Sequence, residues 1–125
     1  CDWSSDVCSS DLKGKIISAS ADKGEKLLKT LIALDDGSSR FGEVAIGTNY
    51  GIKNFTRNML FDEKIGGTVH MAVGDSMPEA GGLNRSDIHW DMLCDMRKYG
   101  SIYADDELFY ENGQFKNEIL TKYNL

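Results

Sequence analysis

Three short runs in this chain repeat with a period of two: residues 42–47 (GEVAIG), 67–74 (GTVHMAVG) and 88–96 (IHWDMLCDM). A strand sends alternate side chains to opposite faces, so these runs commit the middle of the chain to β-sheet. In the first, Val44 and Ile46 share one face and Glu43, Ala45 and Gly47 the other. In the second, Val69, Met71 and Val73 oppose Thr68, His70 and Ala72. In the third, Ile88, Trp90 and Met92 oppose His89 and Asp91. Each strand is therefore expected to bury a bulky apolar face against a core. In the first two, the opposite face sets a metal-capable side chain among very small neighbours, which leaves open volume around Glu43 and His70.

His89 and Asp91 form the sharpest local signal. Two residues apart on a strand, they project side by side within reach of one ion, and neutral imidazole with carboxylate suits Zn, Co, Mn or Fe(II). The chain has two histidines, and both lie on strands of this kind. The same spacing also fits an ion pair at a sheet surface, and His70 and Glu43 taken singly fit a hydrogen-bonded core histidine and a solvated glutamate.

Around these strands the pattern is mixed, and the expected class is α+β or α/β: a mixed β-sheet with one clear helix and a C-terminal hairpin. Residues 15–19 (KIISA) read as a strand. Asp22 is the expected N-cap of a helix carrying Leu27, Leu28, Leu31, Ile32 and Leu34. Residues 48–58 are polar, with one or two helical turns at most, and 75–85 form a loop with the only proline, Pro78. Residues 101–103 and 107–110, with a turn at Glu111-Asn112-Gly113, give the hairpin, and the tail from Lys116 is a short helix. Asp35-Asp36 and Asp105-Asp106 read as solvated turn residues. Cys94, in an apolar run, reads as packing rather than as a nucleophile. A net charge of −6 disfavours a nucleic-acid surface, and no apolar run approaches the roughly 20 residues of a membrane span.

The first twelve residues, CDWSSDVCSSDL, have no apolar periodicity and no signal-peptide regions. They are expected to form neither strand nor helix, and residues 2–12 look like one frame of a common sequencing-adapter oligonucleotide. Setting them aside leaves residues 13–125 with 14 basic and 17 acidic side chains, net −3, and a single cysteine, Cys94, which fits a reducing cytoplasm. The true upstream part is then expected to be missing.

The runs GEVAIGTN, FDEKIGGTVHMAVG and GGLNRSDIHWDMLCDMR, in this order and spacing, resemble the metallo-aminopeptidases typified by aminopeptidase T and aminopeptidase S. The resemblance covers roughly residues 13–114 and implies the C-terminal part of a catalytic domain that removes N-terminal residues from peptides. It implies a centre of two divalent ions (Zn, Co, Mn or Mg) in a cytoplasmic homodimer, with no nucleic acid or membrane partner. Carried over position by position, Glu43, His70, His89 and Asp91 match the family's metal ligands. Glu43 is also the candidate catalytic base. Asp62 and Glu63, in a recurrent Asp-Glu-Lys segment, are candidates to support those ligands from behind. A further glutamate ligand lies upstream in the family, outside this chain. Met77 stands where the family places a tyrosine, and a thioether cannot take over the hydrogen bond of a phenol. Some relatives on this scaffold are Fe(II) dioxygenases that open dihydroxypyridine rings, and His70, His89 and Asp91 would also serve that chemistry. An inert binding fragment is the non-enzymatic alternative.

Overall fold

The computed structural model describes residues 7–123. The class is α+β, with three small sheets and short helices. In chain order the elements are β1 (Val7–Leu12), β2 (Lys15–Ala21), α1 (Glu25–Leu31), β3 (Phe41–Ile46), α2 (Met59–Asp62), β4 (Thr68–Gly74), β5 (His89–Asp95), β6 (Ser101–Ala104), β7 (Glu107–Glu111), β8 (Gln114–Phe115) and α3 (Asn117–Tyr123). The sheets are β1-β2, β3-β4-β5 and β6-β7-β8. The chain divides into two compact units, residues 1–45 with 70–92, and residues 46–69 with 93–125.

Two-residue turns with both central residues at positive φ make three of the strand connections: Lys13-Gly14, Asp105-Asp106 and Asn112-Gly113. Such turns follow the right-handed twist of antiparallel strands, which is why short polar or glycine pairs occupy them. The first of these turns corrects the expectation for the N-terminal segment. Residues 7–12 do form a strand, paired antiparallel with β2 from Val7↔Ala21 to Leu12↔Lys15. Backbone pairing needs no apolar alternation, and here the Asp11 carboxylate accepts the Gly14 N–H at 2.8 Å to close the turn.

In the first unit β2 supplies Ile16, α1 supplies Leu28 and β4 supplies Ala72 and Val73 to the core. The α1 cap differs from expectation. Gly24, at φ 72°, precedes the helix instead of Asp22, and no side chain caps it. Glu25 does the tethering, accepting from the Ala21 N–H at 3.3 Å and pairing with Lys29 one turn on at 2.5 Å. Of the five apolar helix residues only Leu28 is buried, and Leu27 and Leu34 face solvent.

In the second unit the core holds Ile65, Tyr110 and Ile119. The Tyr110 ring meets the edge of Phe115 at 4.9 Å, and Phe109 meets Phe115 at 5.6 Å. Helix α2 follows the polar 48–58 stretch, with the Asn58 side chain accepting the Leu60 N–H at 3.2 Å as its cap. No described helix is long and apolar enough to cross a membrane.

Strand β3 pairs antiparallel with β4, as Gly74 N–H donates to Arg40 O at one end and Gly47 N–H to Thr68 O at the other. Likewise Asp75 N–H donates to Ile88 O and Met96 N–H to Gly67 O, so β4 and β5 are antiparallel. Burial follows the expected faces only in part: Val73 is buried as expected, but so is the opposite face of β4. Thr68, His70 and Ala72 are buried, whereas Val44 is 63% exposed. A small side chain such as Ala72 has little surface to cover, Thr68 donates its hydroxyl to the Ile65 carbonyl, and His70 is bonded to Glu43, so the buried Thr68 and His70 side chains both have partners. No described layer covers Val44.

Candidate metal centre

Glu43 on β3, His70 on β4, and His89 and Asp91 on β5 come together on one face of the first unit. Antiparallel pairing makes this possible, because a period of two keeps all four on the same side once neighbouring strands are in register. The Glu43 carboxylate lies between the two histidines. Its Oε1 is 2.9 Å from His70 Nε2, and its Oε2 is 3.5 Å from His89 Nε2. Since a carboxylate accepts, His70 Nε2 carries the proton in that bond.

His89 is held the other way round. Its Nδ1 lies 2.8 Å from the Asp75 carbonyl oxygen. A carbonyl can only accept, so Nδ1 bears the proton, and the neutral ring has only a lone pair at Nε2. That Nε2 faces Asp91 Oδ1 at 3.4 Å as well as Glu43 Oε2. One ligand atom from each of Glu43, His89 and Asp91 lies within 4.8 Å of the other two. Asp91 Oδ1 is buried and has no hydrogen-bond donor among the described residues. Three electron-pair donors thus converge, an arrangement that is favourable only when a proton or a cation is shared among them. The Asp75 carbonyl raises the His89 pKa above its ordinary value of 6.5; burial opposes this, and the Asp91 and Glu43 charges add to it. Imidazole nitrogen with carboxylate oxygen is the donor set of zinc and its first-row neighbours, so the residues fit a divalent metal.

The other expected site residues lie in the second unit or in loops. Asp62 is buried, and its oxygens accept from the Thr56 N–H at 2.7 Å, the Thr56 hydroxyl at 2.8 Å and the Arg57 N–H at 2.9 Å. These bonds, acting against burial, hold its carboxyl below the usual range, and its evident work is to shape the 56–58 turn. Glu63 ends α2 and pairs with Lys64. Met77 precedes the helical turn Pro78–Ala80 and is 46% exposed. Cys94 is half-buried, with its thiol 3.6 Å from the Met96 sulfur. Asp75 went unmarked in the sequence because its contribution is a backbone carbonyl, which every residue has. The one readable hint was its place directly after the His70 strand, at the mouth of the loop leading to His89.

A sequence profile of the family described as thermophilic metalloprotease (M29) matches residues 12–115. A curated relative, aminopeptidase PepS of Streptococcus thermophilus, is 33% identical, with the match covering 64% of this chain and 23% of the relative. Among solved structures, wild-type AmpT from Thermus thermophilus is similar in fold, with a TM-score of 0.60 at 22% identity over 87% of this chain and 31% of that one. The chain thus spans about a quarter of the length of the curated relative it matches.

Proposed function

The chain belongs to the thermophilic metalloprotease (M29) family, and from that premise we propose that it is part of a metal-dependent aminopeptidase that hydrolyses N-terminal residues from peptides. In this reading Glu43, His70, His89 and Asp91 hold part of a centre of two divalent ions, and the remaining ligand comes from sequence outside this chain. The longer protein is proposed to be a cytoplasmic homodimer, with residues 1–12 foreign to it. A native transcript encoding those twelve residues upstream of Lys13 would refute that last point.

The observation that carries the proposal is the convergence of His89 Nε2 and Glu43 Oε2 with Asp91 Oδ1, a buried oxygen that has no donor among the described residues. Divalent ions held there would polarise a peptide carbonyl and lower the pKa of a water so that its hydroxide form can attack. The chain's own residues set the conditions. Asp75 fixes the ring of His89 so that Nε2 faces inward. Glu43 lies between the two histidines and accepts a hydrogen bond from His70 through Oε1, and its carboxylate is the group in this cluster placed to take up a proton during turnover.

Proton and metal compete for the same Nε2. With the His89 pKa raised, the neutral ligand form begins to fall away above pH 6.5 as the solution is acidified. Zinc titrations of the chain by calorimetry at pH 8, 7 and 6 should show affinity falling by about tenfold per pH unit below that pKa for each proton displaced. Affinity that stays flat across this range, or no binding at pH 8, would contradict the assignment.

A further inference from the structure

Resting on the metal-centre reading above, we propose that Asp35 is a positioning residue for His89, acting through Ser86 and Asp75. The sequence marks Asp35 as a solvated turn residue, but the structure gives its carboxylate four donors. Oδ1 accepts from the Gly37 N–H at 2.8 Å and the Ser38 N–H at 2.7 Å. Oδ2 accepts from the Ser86 hydroxyl at 2.8 Å and the Asp87 N–H at 2.9 Å. The first pair closes the turn after α1, and the second pair takes hold of the segment that leads into β5.

The turn itself is fixed on its other side. Ser38 is fully buried, and its hydroxyl donates to the Asp35 carbonyl at 2.8 Å. The Asn84 amide donates to Gly37 O at 2.9 Å and to Gly74 O at 2.6 Å, tying the turn to the end of β4. The two loops lie so close that a Cβ on Gly37 would stand 1.9 Å from the Arg85 carbonyl oxygen. Asp35 is thus a fixed anchor, and its four bonds hold its carboxyl below the usual range, with the Asp87 N–H contributing most.

From Ser86 the constraint passes to His89 in two short steps. The Ser86 hydroxyl that donates to Asp35 accepts from the Ile88 N–H at 3.3 Å, and the Ser86 N–H donates to Asp75 Oδ1 at 3.3 Å. The Asp75 N–H donates to Ile88 O at 2.6 Å. Residues 75, 86 and 88 therefore form one hydrogen-bonded unit clamped by Asp35. The Asp75 carbonyl that fixes the His89 ring belongs to it. Without the Asp35 carboxylate, the Asp75 carbonyl loses its register with His89, and the ring is free to turn or change tautomer.

The test compares Asp35→Asn and Ser86→Ala with the wild-type chain, and with Ile119→Ala as a core truncation that lowers stability without touching the clamp. Asparagine keeps the size of Asp35, but its NH₂ group opposes the Asp87 N–H. Nitrogen-15 spectra of the imidazoles in the metal-free chain read the His89 tautomer, and zinc titration reads affinity. The proposal expects one Nδ1–H tautomer in the wild type and in Ile119→Ala, and mixed tautomers in Asp35→Asn and Ser86→Ala. Zinc affinity in those two variants should fall by about 10- to 100-fold. A wild-type tautomer retained in both clamp variants overturns the positioning role. Failure of the wild-type chain to bind zinc overturns the metal reading instead, and the tautomer still decides the role of Asp35.

Discussion

A chain carrying His89→Ala is expected to lose zinc and cobalt binding by more than about 100-fold, beyond what loss of a residue behind a ligand costs, while its thermal midpoint changes little. The imidazole lies at the first position of β5, and its side chain is 35% exposed, so truncation removes little packing. What disappears is the nitrogen at the centre of the cluster, leaving Glu43 and Asp91 to face each other. Asp91→Asn should separate function from stability more sharply. The introduced NH₂ can donate to His89 Nε2, giving the buried oxygen position a partner that it lacks among the described residues. The metal-free variant is therefore expected to be more stable by about 1 kcal/mol, with metal binding lost. Calorimetric titration and thermal melts of the same samples check both halves. If Asp91→Asn binds zinc as the wild type does, the ligand role is wrong whatever its stability.

The largest effect on folding is expected at Tyr110. It is fully buried at the centre of the second unit, and its ring is packed edge-on against Phe115. Truncating such a ring costs about 3–5 kcal/mol through lost burial and an unfilled cavity, a large fraction of the 5–15 kcal/mol that ordinarily holds a domain together. Tyr110→Ala should therefore shift the denaturant midpoint strongly downward or leave the 46–69 and 93–125 unit unfolded. A variant that melts within a degree or two of wild type would show that this aromatic cluster is not the core of its unit.

How far the sequence could be read follows from what each signal encodes. Alternation over 42–47, 67–74 and 88–96 marked β3, β4 and β5, because period two is a backbone property that survives any packing. It also placed Glu43, His70, His89 and Asp91 correctly relative to their own strands. Alternation alone does not say which face is covered. Val44 was expected inside and lies outside, while small Ala72 and polar Thr68 are fully buried. Strand β1 runs against the expectation because its Ser and Asp residues carry no apolar pattern, whereas pairing with β2 is a matter of backbone register. The α1 cap went to Gly24 because a left-handed residue can reverse the chain without any side-chain oxygen. The support behind the site was equally hidden. The Asp75 carbonyl has no residue signature, and Asp35 in a polar turn looks like solvent-facing punctuation until Ser86 and Asp87 are brought against it by a contact some fifty residues away in sequence.

The most direct test of the account is the metal content and activity of the longer protein proposed above. Purified from a full reading frame, dialysed against zinc, cobalt or manganese and analysed for metal, it is expected to retain two divalent ions per chain and to release the amine from an aminoacyl anilide. Replacing His89 should lower both. A single iron per chain, with oxygen-dependent opening of a dihydroxypyridine ring and no hydrolysis of the anilide, would contradict the account.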